Sequence, residues 1–343
     1  MKRGILMTKN DSKSSDSKYK EFLNNAKEKI VIDSSMSQES LDKTVHIARY
    51  KAKISNIMII LSILLLLIPI TTLFSYLYYG INNQANQLIK TSSELIYVTE
   101  PNVALSGDIN TTIKFFNMNE KLDIIRHVGK QDLNYESRNI NYIFSQVSDV
   151  ERDSKGAFPT SKFQNSNFVF PKKPIKFNTQ NEWRKLDSMP AGSVAEAFIS
   201  FDALYSPKEV QSKFSENMDA RWVAVNSGQE ELSSEGDFIP LGYPLKSDDN
   251  MYSPFHTQIV SKKGLEQTFL DTVNDLAEHQ KIVSSVPYYQ NVSFIKQQNY
   301  LKNHGIQAYG VVVTGPVNEL KKLQSDKSIR AIKIGEVALW NWE

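Results

Sequence analysis

The sequence predicts an α+β protein that crosses a membrane once, with a β-rich region next to the membrane and a larger extracellular α+β domain at the C-terminus. Residues 57–79 contain no charged side chain. Short runs rich in Thr, Val, Ile and Phe follow this stretch, and the chain closes with a strand–helix–strand pattern over residues 308–339. Runs of β-branched and aromatic residues are typical of strands, and strands mixed with helices indicate the α+β class.

The charge-free stretch, IMIILSILLLLIPITTLFSYLYY, has the length of a membrane span. At about 1.5 Å of rise per residue, twenty-odd residues reach about the 30 Å of a bilayer core, whereas the apolar part of a signal peptide has only about 7–15 residues. Phe74, Tyr76, Tyr78 and Tyr79 at its end resemble an interfacial aromatic belt. A buried core helix would be shorter and would carry a polar stripe, so we predict a transmembrane helix over residues 54–79.

Basic residues predict the orientation of the span, because they are retained on the cytoplasmic side. Lys43, Arg49, Lys51 and Lys53 precede the span, whereas the first charged residue after it is Lys90. Residues 1–53 hold 12 Lys and Arg against 7 Asp and Glu, and the rest of the chain holds 28 against 31. We therefore expect a cell-membrane protein with a cytoplasmic N-terminus and an extracellular C-terminal domain.

The composition argues against several kinds of chemistry. The chain has no cysteine, which excludes thiolate catalysis, iron–sulfur clusters and cysteine-ligated zinc. Its five histidines stand far apart, without zinc-binding spacing, and no nucleophile-elbow or phosphate-loop motif is present. A formal charge of +2 gives no indication of direct nucleic-acid binding. We predict no catalytic residue, no metal and no cofactor.

The segment 1–53 is predicted to be partly disordered with two short helices, at residues 18–30 and 40–53. Its polar, Ser- and Lys-rich start is typical of disorder. Apolar side chains then recur at helical spacing, and a Ser or Asp break separates the two stripes. A short helix of this kind is marginal alone and needs a surface to pack on, which is either a protein partner or the anionic inner leaflet. We favour a protein partner, bound by Tyr19, Phe22, Leu23, Ala26, Leu41 and Val45.

Beyond the span, residues 80–182 are predicted to form a membrane-proximal region and a linker. Residues 80–100 indicate a helical continuation or stalk that ends at Pro101. The sequences NVALSGDINTTIKFF and NYIFSQV are β-rich, and residues 151–182, with several prolines and many Asn and Ser, indicate a linker or extended connection.

Residues 183–343 are predicted to form the C-terminal domain. Strands are expected at residues 194–201, 220–226, 308–314 and 329–339, and helices at residues 264–283, 292–303 and 316–324. Ser206, Pro207 and Glu209 predict a capped helix start, residues 233–254 a loop, and Trp222 a core position. The last β-α-β unit resembles the split β-α-β units of ferredoxin-like sheets.

This C-terminal region resembles the sigma factor regulator C-terminal domain of Gram-positive (Firmicute) membrane anti-sigma factors. The resemblance is carried by GSVAEA continuing through ISFDALYSPKEV, by RWVAV, by YGVVVTGPVNELKKL and by the closing GEVALWNWE. The segment from about Ser40 through the span to PNVALSG resembles the companion N-terminal regulator domain. The chain lacks the His-x-x-x-Cys-x-x-Cys of the zinc-containing anti-sigma class, so a sigma contact must use metal-free helices.

The resemblance implies a function. The composition and the spacing of residues are consistent with this function but do not indicate it by themselves. Such a protein would hold an extracytoplasmic-function sigma factor inactive at the membrane through its cytoplasmic segment and release it when the outer domains receive an envelope-stress signal. The implied partners are the sigma factor and the lipid bilayer, and a second small membrane protein is a further candidate. Two alternatives stay open: a cell-envelope binding or scaffolding protein anchored by one span, and a membrane-tethered surface hydrolase, for which no acid–base constellation is visible.

Overall fold

The computed structural model describes Glu21, Asn24, Asn25 and residues 38–155, 167–232, 238–246 and 264–339. The chain divides into two units, Met1–Ile70 and Thr71–Glu343. Helix α1, Gln38–Gly80, begins in the first unit and ends in the second, with Pro69 inside it. Within the described residues, its part Asp42–Gly80 is the one helix long and apolar enough to cross a membrane, and its most apolar stretch of 18 residues is not covered by protein. A helix is present over the predicted residues 40–53, and it continues without a break into the apolar stretch.

A four-stranded antiparallel meander opens the second unit, in the order β1-β2-β3-β4. A short 3₁₀ turn, Ile81–Asn83, leads from α1 into helix α2, which lies between this meander and the second sheet. Leu88 and Ile96 of α2 belong to the core of the meander, whereas Leu95 and Val98 belong to the core of the second sheet. The predicted helix at residues 80–100 is therefore present, but the alternative of an exposed stalk is wrong, because α2 buries apolar side chains on two faces. The elements are α2, Gln84–Thr99; β1, Val103–Lys114; β2, Asn117–Val128; β3, Gln131–Ile143; and β4, Gln146–Ser154.

The second sheet has the strand order β7-β6-β8-β5-β9, with every neighbouring pair antiparallel. It follows that β8 and β9 run parallel with β5 between them, and that β5 and β6 run parallel with β8 between them. Both are split β-α-β arrangements, and the first is the one that the C-terminal sequence pattern predicts. The strands are β5, Ser193–Tyr205; β6, Asp219–Val225; β7, Leu241–Pro244; β8, Ala308–Pro316; and β9, Ile329–Leu339.

Helices cover the second sheet and complete its core. The capping box predicted at Ser206 is present, with Pro207 in the first turn of the helix and Glu209 returning to the backbone of Ser206. The predicted helical stretch at residues 264–283 is divided in two near His279. The helices are α3, Thr179–Ser188; α4, Pro207–Ser212; α5, Gln229–Leu232; α6, Leu265–Glu278; α7, Gln280–Val283; α8, Phe294–His304; and α9, Val317–Lys322.

The segment predicted as a linker contributes to packing within its described part. Phe168 and Phe170 are buried against Trp222 and Tyr309 on the face of the second sheet opposite α2. Thr179–Ser188 forms α3, so the predicted boundary between residues 182 and 183 lies inside a helix. Trp222 is buried as predicted. Trp340 and Trp342 lie outside the described residues.

The loop predicted for residues 233–254 is wrong at Leu241–Pro244, which pairs with β6 as strand β7. Gly242 and Pro244 read as loop residues in the sequence, but Gly242 is required by the packing of the strand. A Cβ atom at this position would lie 1.9 Å from the carbonyl oxygen of Val223 and 2.5 Å from the Trp222 ring.

Candidate functional site

The residues predicted to bind a partner are only partly within the described chain. Tyr19, Phe22, Leu23 and Ala26 lie outside it. Leu41 belongs to α1, where the structure describes its backbone but not its side chain, and Val45 lies on α1 with 46% of its surface exposed. Because four of the six residues lie outside the described chain, their grouping stays a prediction.

The C-terminal end of α1 makes a specific contact with the meander, which we call the helix-end contact. It joins Ser75, Tyr78 and Tyr79 of α1 to the β1–β2 turn at Phe116 and to the β3–β4 turn at Phe144 and Ser145. The hydroxyl of Tyr79, whose side chain is buried, donates to the carbonyl oxygens of Phe116 at 2.7 Å and Phe144 at 3.2 Å. One side chain thus ties the helix to two hairpin turns.

Two further hydroxyl groups complete the helix-end contact. The backbone N–H of Phe116 donates to Ser75 Oγ at 2.6 Å, while the Ser75 hydroxyl donates back to the Thr71 carbonyl. The Tyr78 hydroxyl lies 2.7 Å from Ser145 Oγ, and its ring packs edge-on against Phe144. These contacts use uncharged groups, which suits a position at the end of an apolar stretch.

Helix α2 carries ionisable groups on its buried side. Burial raises the pKa of Glu94 to about 9, helped by the neighbouring Asp275 carboxyl. Lys90 reaches Asp275 at 2.8 Å and links α2 to α6. On the meander side, Glu120 of β2 accepts from Ser92 at 2.8 Å and from the Tyr142 hydroxyl at 2.8 Å. Burial raises the pKa of Glu120 to about 7.

A buried group of arginines and glutamates lies around the C-terminal end of α2, and we call it the ion-pair cluster. Arg138 of β3 donates to both carboxylate oxygens of Glu100, at 2.7 and 3.0 Å, and to Glu136 at 2.6 Å. Arg152 of β4 approaches the same two glutamates at 3.5 and 3.2 Å. Burial alone would raise the pKa of Glu100, but the Arg138 guanidinium outweighs it and holds that pKa below its ordinary value. The bidentate geometry fixes α2 on the meander.

A second part of the ion-pair cluster joins the meander to the second sheet. Arg126 of β2 pairs with Glu196 of β5 at 3.0 Å, and its guanidinium lies 3.9 Å from the centre of the Tyr135 ring. Asn102 also donates to Glu196, at 2.7 Å, and so does the backbone N–H of Glu336 at 3.2 Å. A carboxylate with this many donors is well satisfied despite its burial.

Neither the ion-pair cluster nor the helix-end contact was predicted from the sequence. Glu136 and Arg138 stand two residues apart on one strand, so they share a face, and that alternation was the available signal. The partners Glu100, Glu196 and Tyr79 are remote in sequence, and nothing local indicates the pairing. Among the described residues, no group of three or more His, Cys, Asp or Glu is arranged to hold a metal ion.

Comparison with known proteins places this architecture in a regulatory class. Residues 42–133 match the family model of the sigma factor regulator N-terminal domain, and residues 186–336 match that of the sigma factor regulator C-terminal domain. The first match contains most of α1, α2 and the β1–β2 hairpin, and the second contains the five-stranded sheet. The chain belongs to the Firmicute anti-sigma factors that carry these two domains.

One relative supports this assignment over most of the chain. The probable anti-sigma-M factor YhdL of Bacillus subtilis is 26% identical over 290 residues, which cover 81% of this chain and 77% of that protein. No solved structure matches the chain.

Proposed function

We propose that this protein is a membrane-bound anti-sigma factor that holds an extracytoplasmic-function sigma factor through its cytoplasmic segment 1–53 and releases it when the extracellular region receives an envelope signal. In this proposal residues 54–79 span the membrane, residues 80–182 form the membrane-proximal regulator region and linker, and residues 183–343 form the C-terminal regulator domain. The protein acts by binding and has no catalytic role.

Helix α1 is the observation that carries the proposal. It is continuous from Gln38 to Gly80, so one helix holds the predicted partner-contact residue Val45, the apolar stretch and the helix-end contact. A rearrangement of the meander would act on Tyr79, which belongs to the same helix as Val45. The anti-sigma-M factor among its relatives supports a sigma factor as the bound partner.

The predicted partner contacts are apolar, and burying each such side chain contributes about 1.5–3 kcal/mol. This burial offsets part of the conformational entropy that is lost when the tail becomes ordered on binding. We propose Tyr19, Phe22, Leu23, Ala26, Leu41 and Val45 as the contact residues.

Partner capture tests the proposal directly in cells that express the full chain with a tagged sigma factor. Replacing Leu41 and Val45 together by Asp is expected to move the sigma factor from the membrane fraction to the soluble fraction and to raise transcription from its promoters. Replacing Thr44 by Asp, which adds a charge to the same helix at a position outside the predicted stripe, serves as the control. Deletion of residues 8–53 should release the sigma factor fully, and unchanged transcription after this deletion would refute the assignment.

Sidedness has its own test, because the chain contains no cysteine. A single cysteine at Lys130 should react with a membrane-impermeant maleimide added to intact protoplasts. A single cysteine at Val45 should react only after lysis. The reverse pattern would contradict the proposed orientation.

A further inference from the structure

The two hairpin turns that touch the end of α1 carry exposed apolar side chains, and we call Phe115, Phe116, Ile143 and Phe144 the apolar tips. The meander order places the β1–β2 and β3–β4 turns at the same end of the sheet. Phe115, Ile143 and Phe144 are 52%, 47% and 45% exposed. Exposed apolar side chains that are grouped in this way mark an interaction surface more often than scattered ones do.

The backbone of these turns has a conformation that is unfavourable for residues with bulky side chains. Phe115 and Phe116 form the two-residue connection of β1 and β2, and both have positive φ, 45° and 60°. Turns of this kind favour Asn-Gly, and the left-handed conformation costs an ordinary residue about 1–2 kcal/mol. Phe144 in the other tip also has a positive φ, 54°. The turn at the opposite end of the sheet instead uses a glycine, Gly129, followed by Lys130.

The apolar tips are continuous with the membrane span. They contact Ser75, Tyr78 and Tyr79, which belong to the last part of the charge-free stretch 57–79. Around the same turns of helix, Phe74, Leu77 and Ile81 expose their side chains as well. Aromatic side chains at such a position lie at the boundary between hydrocarbon and headgroups.

The backbone N–H and C=O groups of Phe116 and Phe144 have protein partners, as a low-dielectric environment requires. The N–H and C=O of Phe116 bond to Ser75 and Tyr79, and the N–H of Phe144 donates to the same Phe116 carbonyl at 3.1 Å. The Phe144 carbonyl accepts from Tyr79. A non-helical segment can enter a bilayer only when its backbone groups have protein partners of this kind.

We propose that the apolar tips insert into the lipid bilayer, so that the meander sheet is seated in the membrane beside its own transmembrane helix. The occupant of this surface is lipid, at the level of the upper acyl chains and the glycerol groups. Lys114, exposed beside Phe115, can extend its ammonium group to the phosphate level. The proposal rests on the membrane span of the proposed function, but not on sigma-factor binding.

The absence of cysteine makes a depth measurement straightforward. The full chain is prepared with one cysteine at Phe115 or, separately, at Ile143, labelled with a polarity-sensitive fluorophore and reconstituted into vesicles. Lipids that carry a nitroxide high on the acyl chain then quench any label that enters the bilayer. A cysteine at Leu66, in the middle of the apolar stretch, is the positive control, and one at Lys130, on the opposite turn of the same sheet, is the negative control. Intrinsic tryptophan fluorescence, to which the buried Trp222 contributes, checks that each variant is folded.

We expect strong quenching and a blue-shifted emission at both tip positions, severalfold above the quenching at Lys130. Labels at the tips that behave like Lys130 while Leu66 is quenched would overturn the tip proposal and leave the span intact. Labels that are unquenched at every position, Leu66 included, would overturn the span and with it the membrane part of the proposed function. Sigma-factor capture plays no part in these readouts, so its failure is distinguishable from theirs.

Discussion

The two ends of the meander sheet make their contacts with different kinds of groups, neutral at one end and charged at the other. At the end that meets α1, the contacts are made by hydroxyl groups and aromatic rings, and the turns are Phe-Phe and Phe-Ser. At the other end, Arg126 pairs with Glu196 of the second sheet, and the turn is Gly-Lys. Charged groups fix a partner precisely where protein surrounds them on all sides, whereas neutral groups tolerate contact with lipid. The sheet is therefore anchored rigidly at one end and is compatible with a membrane at the other.

The largest loss of stability is expected when the ion pair between Arg126 and Glu196, at the charged end, is broken. Replacing Arg126 by Met leaves Glu196, which is fully buried, without its cation, and losing one partner of a buried pair costs about 3–5 kcal/mol. Chemical unfolding of the detergent-solubilised chain, followed by intrinsic tryptophan fluorescence, measures the loss. Lys121→Met on the same strand, at an exposed position, is the control and should cost little. Equal stability of the two variants would mean that this pair does not hold the sheets together.

The second prediction concerns Glu120, a buried carboxyl group on β2. The folded chain keeps its proton up to a pKa of about 7, whereas the unfolded chain releases it near 4.5. The folded state therefore binds more protons between these values, so the free energy of unfolding falls as the pH rises from about 4.5 to about 7 and stays low above that.

Glu120→Gln removes this dependence. At about 1.36 kcal/mol per pKa unit, the free energy of unfolding of the variant should exceed that of the wild type by up to about 3 kcal/mol at pH 8. Near pH 4 the two values should approach each other. The measurement is the difference between the two unfolding curves across this pH range, since other buried carboxyls titrate equally in both chains. A constant difference at all pH values would contradict the raised pKa.

The third prediction tests the helix-end contact. Tyr79→Phe removes the hydroxyl that donates to the carbonyl groups of both tips. The Phe116 carbonyl keeps the N–H of Phe144, whereas the Phe144 carbonyl loses the Tyr79 hydroxyl, and the loss of such a buried hydrogen bond costs about 1–3 kcal/mol. Tyr76→Phe, on the same helix but with an exposed side chain, is the matched control and should be close to neutral. In cells, Tyr79→Phe should also change the basal activity of the sigma factor if the contact transmits the signal. Identical basal activity in Tyr79→Phe and Tyr76→Phe would argue against transmission through this hydroxyl.

The smallest effect is expected at Gly129. Comparison with Gly107 separates the backbone strain from the packing of the turn on the second sheet. Gly129 and Gly107 both have positive φ, 64° and 71°. A Cβ at Gly129 would lie 3.0 Å from the Val194 side chain, whereas one at Gly107 meets nothing within 4 Å. Both Gly→Ala changes introduce the same strain, so the extra loss at Gly129, about 1 kcal/mol, measures the packing of the turn on the second sheet. Equal losses would mean that Val194 moves aside freely.

Elements with strong local patterns were predictable from the sequence. The apolar run gave α1, the Ser206 capping box gave α4, and runs of apolar β-formers gave β5, β6, β8 and β9. Strand β2 escaped prediction because its sequence, NMNEKLDIIRHV, mixes charges with apolar residues. Two of its ionisable residues, Glu120 and Arg126, are buried, and their partners Ser92, Tyr142 and Glu196 are remote in sequence.

The candidate site was likewise predictable only where it depends on a local sequence pattern. The predicted partner residues come from a helical stripe, which a sequence reveals by its period. The helix-end contact depends on hydroxyl groups that meet carbonyls separated from them by 37 and 65 positions along the chain. No periodicity records such a contact, because it is made by the tertiary fold.

The connection between α1 and α2 sets a mechanical limit on the molecule. It consists of Ile81–Asn83 alone, and three extended residues reach about 10 Å at most. The link has little slack, so α2 can move away from the end of α1 by only a few ångströms before the chain is taut. Beyond that travel, a pull on α2 must either displace the end of α1 or unwind its last turn. The connection is thus a short tether, through which even a small displacement of α2 becomes tension on α1.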